Sequence, residues 1–108
     1  MSSAHANNSD VSYHEDFTIG DDHPSLPGHF PDQPIVPGVV LLDRVAAALS
    51  RWRGRRIAAL TVAKFIAPVL PLQALTLTLR EDSERYRFEF VSEGRLAASG
   101  TIETVRAA

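Results

Sequence analysis

The chain has 108 residues, with 11 basic and 13 acidic side chains and a formal net charge of −2. This length fits one domain, and a domain of this size gains stability from dimerisation. The sequence contains no cysteine, which excludes disulfide bonds and thiol chemistry. No apolar stretch reaches the length of about 18 residues that a membrane span needs, and the N-terminus is too polar for a signal peptide. We therefore expect a cytoplasmic protein without a membrane partner.

The predicted elements begin after a polar N-terminal segment. Residues 1–11 are rich in Ser, Asn and Ala and are expected to be disordered, which leaves a single domain over residues 12–108. A short strand is predicted from Tyr13 to Ile19, and the segment from His29 to Val36 is predicted to be a stiff, extended loop. The remaining elements are a helix over residues 39–52 and strands over residues 57–66, 75–80, 86–90 and 95–104.

Alternation and turn residues define the strands in the second half of the chain. The segments 75–80 and 86–90 alternate between apolar and polar side chains, which is typical of half-buried strands. Between the last two strands, Glu93-Gly94 suits a tight hairpin, because glycine accepts a positive φ. One long helix followed by an antiparallel meander is typical of the α+β class.

A histidine lies in a loop that prolines hold stiff. Three prolines within seven residues fix φ at their own positions and disfavour helix in the residue before each. Histidine suits a general base near neutral pH, since its unperturbed pKa is about 6.5. His29 is therefore a candidate to remove a proton next to a carbonyl group. The segment reads Gly28-His29-Phe30-Pro31-Asp32-Gln33-Pro34-Ile35-Val36-Pro37-Gly38-Val39.

Gly38 opens the predicted helix, and Asp43 follows it five residues later. The first N–H groups of a helix have no partner within the helix, and the macrodipole places partial positive charge there. Without a Cβ, Gly38 also allows a substrate carbonyl to approach, so its N–H is a candidate to hold an oxyanion. The helix is apolar on nearly every face and is expected to be buried all round. Burial of Asp43 would favour its protonated, proton-donating form.

Each of these residues also has a structural interpretation. His29 alone would fit a turn residue hydrogen-bonded to the backbone, and Gly38 after Pro37 would fit a simple helix entry. Asp43 alone would fit a partner for Arg44 or another nearby arginine, or a carboxylate that meets solvent at a gap in the packing. The order and spacing of the three residues together favour the catalytic interpretation.

The whole segment resembles the 3-hydroxyacyl-acyl-carrier-protein dehydratases of fatty acid synthesis, the FabZ/FabA type of hotdog-fold enzyme. The pattern of that family is G-H-F-P-x-x-P-x-x-P-G-V followed by an acidic residue on the central helix, where Asp43 stands here. The glycine before His29 is as in the FabZ branch, whereas aspartate at the acidic position is as in the FabA branch. Residues 63–69 resemble the family's strand before a Pro-Val turn, and the resemblance covers residues 13–104.

The resemblance implies a hotdog fold, in which an antiparallel sheet wraps around one central helix. It implies that His29 is the general base, that the Gly38 N–H holds the thioester oxygen and that Asp43 handles the hydroxyl group. Each site would lie across the interface of a homodimer or higher homo-oligomer, with the histidine and the acid from different subunits. No metal, redox group or other cofactor is required, because the thioester itself acidifies the α-position. The residues expected to contact the substrate are Phe30, Val39 and Val40.

Four arginines crowd the predicted end of the helix around Trp52: Arg51, Arg53, Arg55 and Arg56. One interpretation is compensation of the helix dipole at its C-terminus together with a solvated loop. The other is a docking patch, formed by Arg53, Arg55 and Arg56, for an acidic acyl carrier protein and its phosphopantetheine phosphate. A nucleic-acid partner is not expected, because the net charge is −2 and no recognition motif accompanies the arginines.

We therefore expect a lyase that dehydrates a 3-hydroxyacyl thioester on acyl carrier protein to the trans-2-enoyl thioester, in fatty acid or related acyl chain biosynthesis. A second interpretation is a hotdog acyl thioesterase, in which a carboxylate activates water and the products are a free acid and a thiol. A third is a non-catalytic acyl-binding subunit that has kept the fold. The presence of both His29 and Asp43 favours an enzyme.

Overall fold

The computed structural model describes residues 6–8, 11–20 and 35–107 of the chain. Its elements are, in chain order, β1 (Ala6–Asn8), β2 (Ser12–Phe17), α1 (Gly38–Arg53), β3 (Arg55–Phe65), β4 (Leu75–Asp82), β5 (Arg85–Ser92) and β6 (Arg95–Arg106). The helix and the strands β2 to β6 begin and end within about two residues of the predicted positions. β1 lies within the N-terminal segment that the composition predicts to be disordered; the other residues of that segment, apart from Val11, lie outside the described ranges.

The six described strands form one antiparallel sheet in the order β1-β2-β4-β5-β6-β3. The consecutive strands β4, β5 and β6 pair as a meander, because short turns join antiparallel neighbours. β3 does not pair with β4, its successor in the chain, but with β6 at one edge of the sheet. α1 and β3 therefore belong to the long connection between β2 and β4, which are themselves neighbours in the sheet.

α1 packs on one face of the sheet, and the two form the core together. The sheet contributes alternate residues, since successive side chains of a strand point to opposite faces. The buried residues of the helix are Val40, Leu41, Val45, Ala48 and Leu49. The buried apolar residues of the two central strands are Leu75, Leu77 and Leu79 of β4 and Tyr86, Phe88 and Phe90 of β5. A sheet around one central helix is the α+β hotdog fold that the sequence predicts, so this prediction is confirmed.

The helix is amphipathic, which corrects the expectation that it is buried all round. Val39, Asp43 and Ala47 are exposed and lie four residues apart, so they form a stripe along one side of α1. Alanine and valine occur on both sides of the helix, and for this reason the sequence does not reveal the division. No helix in the described part of the chain is both long and apolar enough to cross a membrane.

Residues with positive φ end the helix and close the last hairpin. Gly54 has a φ of 65°, and its N–H donates to the Ser50 carbonyl at 3.0 Å, which ends α1 with a left-handed cap. Glu93 and Gly94 have φ values of 53° and 79°, which confirms the tight hairpin predicted between β5 and β6.

Candidate functional site

Part of the predicted site belongs to a segment outside the described residues. His29 and Phe30 lie within residues 21–34, so neither the predicted general base nor this predicted substrate contact is placed. The other predicted residues of the reaction site lie on α1: Gly38, Val39, Val40 and Asp43. The site is therefore built from this helix and from the segments that pack against it.

The N-terminus of α1 has no side-chain cap. Pro37 precedes the helix in an extended conformation, with φ −64° and ψ 148°, and none of the described side chains accepts a hydrogen bond at this end. The first turn also lacks an acidic residue that would offset the positive end of the dipole. The Val40 N–H donates to the Pro37 carbonyl at 3.0 Å. Among the described residues, this leaves the N–H groups of Gly38 and Val39 as donors for a polarised oxygen.

Phe65 gives a packing reason for the glycine at position 38. A Cβ atom there would lie 2.8 and 2.9 Å from two ring carbons of Phe65, at the end of β3. These distances are shorter than van der Waals contact, so a larger residue would displace the ring. The sequence predicts that the missing Cβ makes room for a substrate carbonyl. In the structure, the aromatic ring occupies that side of Gly38, and the N–H remains the feature that suits an oxyanion.

An apolar cavity of about 400 Å³ adjoins the contact between Gly38 and Phe65. Its walls come from the segment before α1, the start of α1 and the chain around the end of β3. The Val36 N–H donates to the Val69 carbonyl at 2.8 Å and joins two of these walls. The lining includes Ile35, Leu41, Ile66, Ala67 and Pro68. A cavity of this size and character suits an alkyl chain next to the N-terminus of the helix.

Asp43 is exposed in the single chain, which corrects the expectation of a buried carboxyl. It lies on the exposed stripe of α1 and borders a second cavity, of about 290 Å³, together with Val40 and Arg44. Val39 is 59% exposed whereas Val40 is 5% exposed, so the two valines predicted to contact the substrate have different surroundings. Of these two valines, Val40 borders the cavity of Asp43.

Glu15 on β2 binds the arginine that the sequence places next to Asp43. Its Oε2 accepts a hydrogen bond from Arg44 Nε at 2.9 Å. Its Oε1 accepts from the Tyr13 hydroxyl at 2.7 Å and from Arg51 Nη2. The Glu15 side chain is 9% exposed, so this cluster lies between β2 and α1. The ion pair of Arg44 is therefore with Glu15, and the alternative interpretation of Asp43 as its partner is wrong.

The surroundings of Glu15 favour its ionised form. Burial alone would raise the pKa of this carboxyl, but the Tyr13 hydroxyl and the guanidinium groups of Arg51 and Arg44 outweigh burial and lower the pKa below the usual 4.5. Burial, together with the hydrogen bond to Glu15, raises the pKa of Tyr13 above its usual 10.0, so the hydroxyl remains a donor.

Sequence reasoning missed this cluster, although a signal for it exists. Tyr13, Glu15 and Phe17 occupy alternate positions of β2, and alternate positions share one face of a strand. A carboxylate between two aromatic residues on that face is a charged group on the apolar side of the sheet. Such a group requires partners, and arginines on α1 provide them.

Two arginines at the end of α1 have ion-pair partners within the chain. Arg51 binds Glu15, and Arg53 Nη2 donates to Glu81 Oε1 at 3.0 Å. The Arg53 guanidinium also lies over the ring of Trp52, 4.2 Å from its centroid. These contacts join α1 to β2 and β4, and they favour the structural interpretation of these two side chains.

The two arginines at the start of β3 differ from each other. Arg55 Nε donates to Thr104 Oγ1 at 2.6 Å, across the pair of strands β3 and β6. Arg56 is exposed. Docking of a carrier protein at Arg53, Arg55 and Arg56 stays a prediction, with Arg56 the most accessible of the three.

Comparison with protein families and curated sequences shows that this chain is similar to dehydratases. The model of the ApeI-like family, described as ApeI dehydratase, matches residues 5–101. The 3-hydroxyacyl-[acyl-carrier-protein] dehydratase FabZ of Polynucleobacter asymbioticus is 34% identical over 93 residues, which cover 73% of this chain and 62% of that protein. The chain therefore spans less than two thirds of the length of this relative.

Comparison with solved structures shows the same fold. The dehydratase heterocomplex ApeI:P from Xenorhabdus doucetiae has a TM-score of 0.86 at 23% identity, with 95% of this chain and 96% of that chain covered. The fluoroacetyl-CoA-specific thioesterase FlK has a TM-score of 0.64 at 15% identity, with 92% and 88% covered. At these identities the likeness shows the fold alone, and the fold is shared by dehydratases and thioesterases.

Proposed function

Because the chain belongs to the ApeI-like dehydratase family, we propose that it removes water from 3-hydroxyacyl thioesters carried by acyl carrier protein. The product is the trans-2-enoyl thioester, and the reaction serves fatty acid or related acyl chain biosynthesis, in keeping with the name of the FabZ relative. One observation supports the proposal most strongly. The uncapped N-terminus of α1 adjoins an apolar cavity at Gly38, and Asp43 follows on the same helix.

In the proposed reaction, His29 takes the proton from the α-carbon, and the electrons of that C–H bond form the new carbon–carbon double bond. The Gly38 N–H donates to the thioester oxygen and stabilises the negative charge that develops there. Asp43 donates a proton to the 3-hydroxyl group, which leaves as water. The thioester acidifies the α-carbon, so the scheme uses no metal or redox cofactor.

We assign the acyl chain to the apolar cavity beside Gly38. The N–H groups at the start of α1 adjoin this cavity, so a thioester oxygen held there would direct the acyl chain into it. Phe65 forms one wall and is 54% exposed, which allows its ring to adjust to the substrate. Val39 and Val40 follow Gly38 in the first turn and remain proposed substrate contacts, together with Phe30.

The exposed edge of the sheet supports a homodimer. β3 pairs with β6 on one side, and in the described sheet no strand lies on its other side. Leu60 and Val62 of β3 are exposed apolar side chains. A long apolar edge strand favours pairing with another strand. We propose that β3 meets its counterpart in a second copy, burying about 1,600 Å² or more in total, and that each site combines His29 and Asp43 from different subunits.

We propose that the acidic carrier protein docks at Arg53, Arg55 and Arg56. Arg56 is exposed and free to meet an acidic surface, whereas Arg53 and Arg55 also hold contacts within the chain. Opposite charges on the two proteins would accelerate their association more than they would strengthen the final complex.

Mass analysis of products tests the proposed function. The purified protein is incubated with a 3-hydroxyacyl carrier protein, and loss of one water from the carrier-bound acyl group is the expected result. Release of the free acid and the carrier thiol would identify a thioesterase instead. An acyl group that stays unchanged, while the protein still binds the acyl carrier, would identify a non-catalytic acyl-binding subunit.

A further inference from the structure

Asp43 and Arg44 are consecutive residues of α1 and border the same cavity. Consecutive helix residues project about 100° apart, yet an arginine side chain is long and flexible enough to reach a neighbouring carboxylate. In the structure, the Arg44 side chain instead contacts β2, where it binds Glu15 and Phe17. Its Nε donates to Glu15 at 2.9 Å, and its guanidinium carbon lies 4.1 Å from the centroid of the Phe17 ring.

Two interactions make the position at Glu15 the favoured one for Arg44. Glu15 is 9% exposed, and an ion pair is stronger in such surroundings than beside the exposed Asp43. The Phe17 ring adds a cation–π contact on the face of the guanidinium. Glu15 thus competes with Asp43 for Arg44 and has the advantage of both burial and an aromatic neighbour.

Within the described residues of one chain, Arg44 is the one other charged residue at the cavity of Asp43, and in the proposed dimer His29 of the second copy faces the same carboxyl. The residues that border its cavity besides Arg44 are uncharged: Thr18, Ile19, Gly20, Val40 and Ala47. Arg51 lies about two helical turns beyond Arg44 on the same side of α1 as Arg44, and it also binds Glu15. Glu15 therefore holds the two arginines of α1 that lie closest to Asp43 in the sequence.

We propose that Glu15 is a positioning residue, which withholds Arg44 from Asp43 and so leaves the Asp43 carboxyl able to carry the proton that the departing hydroxyl group needs. A guanidinium beside a carboxyl favours the ionised form, which has no proton to donate. The inference rests on the proposed role of Asp43. This role also gives a reason for a buried carboxylate at this position, since a buried ion cluster contributes little net stability compared with apolar residues of the same shape.

Titration of the Asp43 side-chain carboxyl by carbon-detected NMR tests this arrangement without reference to turnover. In Glu15→Gln, the neutral amide holds Arg44 less firmly, so we expect the titration midpoint of Asp43 to fall by about half a unit or more. The double variant Glu15→Gln/Arg44→Gln lacks the competing guanidinium, and its midpoint should return to that of the wild type. Arg51→Gln is the matched control, because it removes one partner of Glu15 and keeps Arg44 bound.

The pH–rate profile of dehydration provides the second readout. A lower midpoint means that Asp43 loses its proton at lower pH, so the basic limb of the profile should move to lower pH by the same amount in Glu15→Gln. The double variant should restore the limb. A purely structural role for Glu15 would lower stability and move the midpoint and the limb only by the small amount that the loss of one screened negative charge gives.

Several results would overturn the inference. One is an unchanged Asp43 midpoint in folded Glu15→Gln, and another is a shift that persists in the double variant. If Glu15→Gln does not fold, Arg44→Gln alone decides: a rise in the Asp43 midpoint on removing Arg44 would show that the two already pair in the wild type. Failure of the proposed function gives a different result, in which the wild-type protein forms no enoyl product. Failure of the proposed role of Asp43 alone would leave Asp43→Asn dehydrating as fast as the wild type.

Discussion

At Gly38, two ring carbons of Phe65 lie 2.8 and 2.9 Å from the place that a Cβ atom would take. Phe65 is 54% exposed, so its ring can turn away with a limited loss of packing. We expect Gly38→Ala to lower the free energy of unfolding by about 1 kcal/mol. The displaced ring should narrow the apolar cavity and raise KM for long acyl substrates. Urea unfolding and steady-state kinetics measure the two effects.

The double variant Gly38→Ala/Phe65→Leu is the control for this prediction. Leucine is shorter than phenylalanine, so it should leave room for the new methyl group at position 38. The double variant should therefore lose less stability than the sum of the losses in the two single variants. Strictly additive losses would show that the Phe65 ring does not exclude a Cβ at Gly38.

His29 and Asp43 carry the proposed proton transfers. We expect His29→Ala and Asp43→Asn each to reduce dehydration by at least about 100-fold, because each removes one proton-transfer group. Asp43 is exposed in the single chain, so Asp43→Asn should leave thermal unfolding nearly unchanged. Asp82→Asn is the matched control, since Asp82 is an exposed carboxylate at the end of β4. Unchanged turnover in either variant would remove that residue from the mechanism.

At the scale of elements, Glu15 joins β2 to α1 through ionic hydrogen bonds. Its pKa is lowered in the folded chain, so the stabilisation that it provides is complete above the unfolded value of about 4.5 and is lost as the pH falls through the folded-state pKa. We expect the stability difference between the wild type and Glu15→Gln to shrink on acidification below about pH 4.5. Urea unfolding over a series of pH values measures it. A difference that stays constant with pH would contradict the ionic role.

The start of β3 and the end of α1 carry the proposed docking arginines. The triple change Arg53→Ala, Arg55→Ala and Arg56→Ala should slow turnover of carrier-bound substrate, most at low salt, because it removes charges that attract an acidic protein. Small pantetheine thioesters lack that acidic surface and should react at an unchanged rate. Arg56→Ala alone should reproduce part of the effect without loss of stability, since Arg56 is exposed. Equal losses with both substrates would indicate a structural role instead.

At the scale of the molecule, the exposed edge of β3 is the proposed dimer interface. Val62 is 46% exposed, and Val62→Asp would bury a charge if β3 meets a second copy. We expect this variant to be monomeric in sedimentation experiments and inactive. Val11→Asp is the control, because Val11 is 49% exposed next to β2, away from the β3 edge. A Val62→Asp protein that remains dimeric would place the interface elsewhere.

Mixed dimers test whether the site combines two subunits. His29→Ala and Asp43→Asn are each expected to be inactive alone. If the two residues of one site come from different subunits, exchange of subunits between the variants creates dimers in which one site has both groups, and activity returns. If both residues of a site come from the same subunit, exchange yields no additional site with both groups, and the mixture stays inactive.

The sequence by itself determined the elements and much of the proposed chemistry. Alternation over a few residues places β4 and β5, Glu93-Gly94 places the hairpin, and the apolar run after Pro37 places α1. These features depend on residues that are close together in the sequence, within one or two helical turns or a single strand. The spacing of His29, Gly38 and Asp43 likewise indicates the dehydratase family, which the comparison confirms.

Only the tertiary structure decided which distant groups meet. Arg44 binds Glu15 rather than the adjacent Asp43, although 29 positions separate the two in the chain. Phe65 reaches Gly38 because β3 returns past the start of α1. The exposure of Asp43 follows from the rotation of α1 on the sheet, which depends on all the contacts of its buried face. The ion-pair partner of a charged side chain depends on burial and on the surrounding groups. Those groups belong to segments that are far apart in the sequence.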